Sequence, residues 1–131
     1  MIVIDASAIL ELLLGTDRGE GVAERALSPR ERMQAPHLLD IEVAQALRRL
    51  VQLKGIKATR AEQALDDLAG FIIERHAHQD LLPRIWQLRN SLTAYDAAYV
   101  ALAEAVDAPL LTCDAKLGRS HGHRARIEIV S

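Results

Sequence analysis

Short apolar segments rich in β-branched residues alternate along this chain with longer segments of helical character. The short segments predict five strands, at residues 2–4, 33–35, 71–74, 110–113 and 127–130. The longer segments predict six helices, at residues 7–14, 19–27, 38–54, 60–68, 81–91 and 94–106. This alternation is typical of βα units around a parallel sheet, so we expect an α/β fold.

Length and composition set the scale of that fold. The chain has 131 residues, half of them hydrophobic, which is enough for one domain, residues 1–131, with a substantial core. Its 16 basic and 18 acidic residues leave a net charge of −2, which argues against a basic DNA-binding module. One Phe, one Trp and two Tyr are too few for an RNA-binding surface built mainly on aromatic stacking.

The sequence also bears on the cellular compartment. Cys113 is the only cysteine, so no disulfide can form within the chain, and a reducing compartment is expected. The N-terminal segment lacks the basic residues of a signal peptide, and no apolar run is long enough to span a bilayer. We therefore expect a cytoplasmic protein that does not contact a membrane.

Two aspartates occupy the same local position in the predicted fold. Asp5 follows the first strand and Asp114 follows the fourth, and each precedes a helix-like segment that begins with alanine. Either residue can serve as an N-cap, because an aspartate side chain accepts backbone N–H groups at a helix start. If the first and fourth strands are neighbours, the two carboxylates instead converge beyond the strand ends, where open α/β sheets bind ligands.

Two further acids lie on predicted helices. Glu42 flanks the apolar stripe of its helix, either as a solvated residue or as a carboxylate held at the edge of a cleft. Asp96 lies in the first turn of a helix that is apolar on nearly every side, so its carboxylate is expected in an enclosed place. Thr93 and Asp96 resemble a capping box with aspartate in place of the usual glutamate, a role compatible with metal binding.

Four carboxylates that lie near one another repel unless a divalent cation neutralises them. A ligand set made only of carboxylate oxygens favours Mg²⁺ or Mn²⁺ over Zn²⁺, whose sites prefer Cys and His. Such an ion activates water and offsets negative charge on a phosphate. The four acids therefore suggest metal-dependent hydrolysis of a nucleic acid.

Four segments of the chain resemble motifs of the PIN-domain ribonucleases, and in particular of the VapC toxins of toxin–antitoxin pairs. They are residues 2–7 (IVIDAS), residues 36–49 with the core EVAQALRR, residues 92–104 and residues 110–117. Each segment is a weak signal alone, whereas four in this order and spacing are specific. The resemblance extends over nearly the whole chain.

The resemblance implies a three-layer α/β/α sandwich with five parallel strands in the order 3-2-1-4-5, which makes strands 1 and 4 neighbours. It also implies that all four acids are catalytic and bind the metal. Asp5 and Asp96 would bind Mg²⁺ directly, with Mn²⁺ as a substitute. Glu42 and Asp114 would complete the site, partly through water.

The resemblance has further implications for function and partners. It implies a Mg²⁺-dependent endoribonuclease, a homodimer, and a VapB-type antitoxin that inhibits the acidic site. An antitoxin arginine there is physically reasonable, because a guanidinium binds carboxylates bidentately. Ser7 and Thr112 correspond to small hydroxyl residues that such proteins keep beside the acids, and strand-end hydrogen bonding explains them equally well.

RNA phosphates need positive charge near an acidic site. Residues 44–61 carry five basic side chains and no acid, and residues 114–126 carry four with a single acid. A solvated helix face and a polar loop would have the same composition. The four predicted substrate contacts are Arg48, Arg49, Lys116 and Arg119.

Two other functions suit the sequence less well. A phosphoacceptor receiver domain has a similar length, but it requires an acidic pair after the first strand, where Asp5 stands alone. It also requires a phosphorylatable aspartate near the middle of the chain, and that part of the sequence is basic. A non-catalytic PIN-like module that binds RNA or protein is expected to have lost acids, and all four are present.

Overall fold

The computed structural model describes residues 1–131 and contains one five-stranded sheet. Its strands are β1 (Ile2–Ile4), β2 (Met33–Pro36), β3 (Ile73–His76), β4 (Leu110–Thr112) and β5 (Ile127–Ile129). All neighbouring strands are parallel, and their order is β3-β2-β1-β4-β5. The predicted α/β fold and strand order are confirmed, and β1 and β4 are direct neighbours.

Helices cover both faces of the sheet in two groups. The helices are α1 (Ala6–Leu14), α2 (Asp17–Ala26), α3 (Leu38–Gln52), α4 (Ala58–Gly70), α5 (Leu82–Gln87), α6 (Ala94–Val106) and α7 (Ala115–Gly118). Helix α1 packs against α2, α3 and α4, whereas α5 packs against α6, and α6 contacts β1, β2 and β4. None of these helices is both long and apolar enough to cross a membrane.

The core is centred on β1 and α6. All three residues of β1 are fully buried, as expected for the central strand of a parallel sheet covered on both faces. Every residue from 97 to 103 of α6 is also buried. Four of these seven residues are alanines, so the helix axis can approach β1 and β2 closely. Asp96 is therefore carried on one of the most deeply buried helices.

Most predicted bounds differ from the observed ones by one or two residues, and two elements need correction. The third strand was expected at residues 71–74, but β3 begins at Ile73, because α4 continues to Gly70 and the apolar residues that follow form the connection. Ile72 is 92 % exposed, so this apolar pair does not mark a buried strand. The helix expected at 81–91 ends at Gln87, and residues 88–91 form turns that include the turn formers Asn90 and Ser91.

Candidate active site

Asp5 lies at the carboxyl end of β1 and is only 6 % exposed. Its side chain is the N-cap of α1, since Oδ1 accepts the backbone N–H of Ala8 at 3.0 Å and the hydroxyl of Ser7 at 2.7 Å. Thr112, at the end of the neighbouring strand β4, donates its hydroxyl to Oδ2. Both carboxylate oxygens are thus oriented by neutral donors, and no cation of the chain is hydrogen-bonded to them.

The same hydroxyls join the loops that follow β1 and β4. The backbone N–H of Cys113 donates to Ser7 Oγ at 3.0 Å, and the backbone N–H of Asp114 donates to Thr112 Oγ1 at 3.0 Å. Asp114 caps the short helix α7 through Lys116 N–H at 2.9 Å. Strand-end hydrogen bonding is therefore a role that Ser7 and Thr112 do fill, and it brings the two aspartate-bearing loops together.

Glu42 reaches the site from the first part of α3. Its Oε1 accepts the hydroxyl of Tyr99 at 2.6 Å, and Tyr99 lies on α6 with only 2 % of its surface exposed. Helix α3 places the Glu42 backbone, and the tertiary contact with Tyr99 orients its carboxylate. Glu42 is half-buried, which favours the cleft-edge interpretation over a solvated side chain.

Asp96 completes the group from the first turn of α6. Thr93 is the N-cap, and its Oγ1 accepts the backbone N–H of Asp96 at 3.2 Å. This is one of the two hydrogen bonds of a capping box, as the sequence predicts. The side chain is half-buried on the face of α6 that also carries Tyr99, three residues further along the helix. Asp96 and Tyr99, whose hydroxyl donates to Glu42, therefore share one face of α6.

The carboxylates are close enough to influence one another's protonation. Burial is the main reason that the pKa values of Asp5, Glu42 and Asp96 are raised. Repulsion from Asp96 raises the pKa of Asp5 and of Glu42 further, and Asp114 does the same to Asp96. The hydrogen bond from Tyr99 acts in the opposite direction on the Glu42 pKa, because it favours the ionised form.

Two clefts open beside the first turn of α6. The first has a volume of about 430 Å³, lies between α3 and α6, and contains Glu42, Arg49 and Tyr95. The second, of about 320 Å³, lies between α6 and the segment after β4, and contains Asp96 and Asp114. Each cleft is therefore bounded on one side by an acid of the site.

The predicted substrate-binding residues are distributed unevenly over these clefts. Arg49 lines the first cleft, and Lys116 and Arg119 line the second. None of these three forms an ion pair with a carboxylate of the chain. Arg48 is exposed and lines neither cleft, because it lies on a different face of α3 from Arg49.

Comparison with known proteins agrees with this architecture. The PIN domain family matches residues 2–120. Ribonuclease VapC12 of Mycobacterium tuberculosis is 40 % identical to it over 131 residues, which are 100 % of both chains. Ribonuclease VapC1 of the same organism is 43 % identical to it over 129 residues, which are 98 % of this chain and 96 % of the relative. The chain is a PIN domain of the VapC family. A solved structure, VapBC2 from Rickettsia felis bound to a DNA fragment from its promoter, matches this PIN domain with a TM-score of 0.69 at 16 % identity and covers 100 % of both chains.

The donor chemistry of this PIN domain fits a hard divalent cation. No group of three or more His, Cys, Asp or Glu side chains is arranged to hold one ion between them. Mg²⁺ does not need such a group, because it keeps several waters and commonly binds proteins through one or two carboxylates. Repulsion between the buried Asp5 and the half-buried Glu42 and Asp96 is also the condition that a bound cation relieves.

Sequence reasoning did not assign Tyr99 a role in the site of this PIN domain. One signal was present, since Tyr99 follows Asp96 by three residues and so faces the same direction. The partner of its hydroxyl depends on how α3 packs beside α6, which is a tertiary contact and has no local sequence pattern. Asp5, Asp96 and Asp114 were predicted from sequence because each lies at a strand end or in a first helical turn, whereas Glu42 was predicted from its place beside the apolar stripe of α3.

Proposed function

We propose that this chain is a single-domain, divalent-metal-dependent endoribonuclease, the toxin of a VapBC-type toxin–antitoxin pair. The observation that carries the proposal is the group of buried and half-buried, mutually repelling acids gathered beside the carboxyl ends of β1 and β4, with basic residues in clefts on either side. Relatives named as ribonucleases, which match the chain over nearly its full length, support RNA as the substrate.

In this proposal, Asp5 and Asp96 hold Mg²⁺ or Mn²⁺ directly, and Glu42 and Asp114 complete the site partly through water. Thr112 and Ser7 keep the Asp5 carboxylate oriented, and Tyr99 does the same for Glu42. A bound divalent ion supplies positive charge that lowers the pKa of an attacking water and offsets charge developing on the phosphate.

The basic residues have a separate role in the proposal. Arg49, Lys116 and Arg119 lie unpaired in the two clefts, so they are free to neutralise the phosphates that flank the cleaved bond. Without them, an acidic site would repel the RNA backbone. Arg48 remains a proposed contact for more distant phosphates, because its side chain is exposed on the same helix.

Two partners belong to the proposal. A VapB-type antitoxin would block the acidic site, since an arginine side chain pairs with carboxylates bidentately and competes with both metal and RNA. The chain itself is proposed to form a homodimer, the commonest symmetric assembly of soluble proteins. Light scattering on the purified chain measures the dimer, and co-purification of a VapB-type protein with a tagged chain measures the antitoxin contact.

The test of the catalytic proposal is cleavage of total cellular RNA by the purified, antitoxin-free chain with Mg²⁺ or Mn²⁺, with the new 5′ ends mapped. Asp5→Ala and Asp96→Ala should lower the cleavage rate by about 100-fold or more, because each removes a ligand of the cation that stabilises charge on the reacting phosphate. Undiminished cleavage in both variants would overturn the site assignment.

Asp107→Asn is the matched control on the same helix. Asp107 follows α6 at the opposite end from Asp96, and its exposed side chain pairs only with Arg126. Its backbone φ of 52° is left-handed, a conformation that asparagine also tolerates. The control should cleave RNA at the wild-type rate. If wild type cleaves no cellular RNA with either metal, the chain is better described as a non-catalytic binding module.

A further inference from the structure

The cleft between α3 and α6 differs from the second cleft in being largely apolar. Leu38 and Ile41 from α3 and Tyr95 from α6 face it, and Ile41 and Tyr95 are 70 % and 60 % exposed. Its volume of about 430 Å³ lies in the range of small-molecule sites, about 300 to 1,000 Å³. An exposed apolar surface of this kind beside an acidic site points to a ligand with a flat apolar part.

Tyr95 is the only aromatic ring available for such a contact at the site. Tyr99 is buried and donates to Glu42, and Phe71 is packed partly against the core. Trp86 is exposed on α5, but Arg89 already lies over its ring at 4.7 Å from the centroid. Tyr95 therefore combines an uncovered ring with a position next to Asp96 and in the same cleft as Glu42.

The charges of this cleft complement a nucleotide. Glu42 and Arg49 lie two helical turns apart on one face of α3, about 10 Å along the axis. Glu42 belongs to the acidic site, whereas Arg49 is unpaired at the far end of the cleft. An RNA strand that runs from the acids into this cleft would pass the Tyr95 ring first. Its next phosphate would then lie near the Arg49 side chain.

We propose that this cleft is a nucleotide subsite of the RNA substrate, in which one unstacked base lies against the Tyr95 ring and Arg49 binds the adjoining phosphate. The inference rests on the proposed ribonuclease function, and it adds the two residues that would receive one nucleotide of the substrate beside the acids. A base in a duplex is stacked on its neighbours and cannot reach the ring. Stacking on one aromatic ring tolerates every base, so this subsite selects for an open strand more than for a sequence.

The test is the affinity of the intact chain for a short fluorescein-labelled single-stranded RNA, measured by fluorescence anisotropy in EDTA so that the strand is not cut. A strand of the same length made of abasic residues is measured beside it. Tyr95→Ala should weaken RNA binding by about 5- to 140-fold, the effect of losing one stacked base, and should leave abasic-strand binding unchanged. Tyr95→Phe keeps the ring and should bind RNA as wild type does.

Trp86→Ala is the matched control, since it removes an exposed aromatic ring outside the cleft. It should leave RNA binding unchanged. Arg49→Ala is a second variant that does not depend on the tyrosine. It should weaken both strands and reduce the slope of log affinity against log salt by about 0.7, the value for one phosphate contact on a single strand.

Several results would overturn the subsite. One is that Tyr95→Ala binds RNA with the same affinity as wild type. Another is that Tyr95→Ala loses as much affinity for the abasic strand as for the RNA. A third is that wild type shows no measurable RNA binding. A change of molecular mass of Tyr95→Ala in light scattering would also overturn it, because the cleft would then be a contact between copies of the chain. RNA cleavage is measured separately with Mg²⁺. If wild type cleaves RNA and Tyr95→Ala binds RNA as tightly as wild type does, the subsite is refuted and the proposed ribonuclease function is not.

Discussion

At the scale of single residues, the Tyr99 hydroxyl determines how the Glu42 carboxylate is held. It is the only hydrogen-bond donor on that carboxylate, at 2.6 Å, and it comes from a ring that cannot move because it is buried in α6. Tyr99→Phe should therefore lower Mn²⁺ affinity by about 10- to 100-fold, the usual effect of removing a partner that orients a metal ligand. Isothermal titration calorimetry measures the affinity, and an unchanged value would show that Glu42 needs no such support.

The raised pKa of Asp96 predicts a pH-dependent effect on stability. Burial and repulsion from Asp114 make its ionised form unfavourable in the folded chain, so the folded state binds this proton more tightly than the unfolded state. Free energy of unfolding is therefore lost as pH rises from the ordinary pKa of 3.8 through the raised value, and the loss is complete above it. Asp96→Asn removes this cost at neutral pH and has no such effect below the ordinary pKa.

Urea unfolding in EDTA at a series of pH values measures this difference. The metal-free Asp96→Asn variant should be more stable than wild type at pH 7, with a higher midpoint concentration of urea. The advantage should disappear in acid. A variant that is less stable than wild type at neutral pH would show that the helix-start position of Asp96 outweighs its burial.

At the scale of elements, Thr112 joins the β1–α1 loop to the β4–α7 loop. Its fully buried hydroxyl donates to Asp5 and accepts from the backbone N–H of Asp114. Thr112→Val keeps the shape and removes both bonds, so it should lower the free energy of unfolding by about 1 to 3 kcal/mol. Thr59→Val, at an exposed threonine of α4, is the control and should change it by less than about 0.5 kcal/mol. Equal effects of the two variants would contradict this role.

Elements differ in how well the sequence predicts them, for physical reasons. Helix α6 was predicted with its observed bounds, because Thr93 caps its start and a left-handed Asp107 ends it. The third strand was displaced, because Phe71 and Ile72 form an apolar run whose exposure is decided by packing. Asp5, Asp96 and Asp114 could be predicted from their positions at element ends, whereas the Tyr99 contact and the Tyr95 cleft require the relative placement of α3 and α6.

At the scale of the whole molecule, three arginines of the scaffold are paired with acids, whereas the basic residues beside the acidic site are unpaired. The net charge of −2 is compatible with a nucleic-acid partner, since the 14 acids outside the site are outnumbered by 16 basic residues. Arg25, Arg75 and Arg84 form ion pairs that join elements of the scaffold, with Glu128, Asp40 and Glu104. The basic residues beside the acids are left unpaired, so positive charge at this edge remains available to phosphates.

The central claim is that the acids at this edge of the sheet form a metal-dependent ribonuclease centre. The most direct measurement is the rate of RNA cleavage by one preparation of the wild-type chain, first in EDTA and then after excess Mg²⁺ is added, with Asp96→Asn treated in parallel. The account predicts no cleavage in EDTA, cleavage by wild type once Mg²⁺ is restored, and little or none by Asp96→Asn. Equal cleavage by wild type in EDTA and in Mg²⁺ would contradict it.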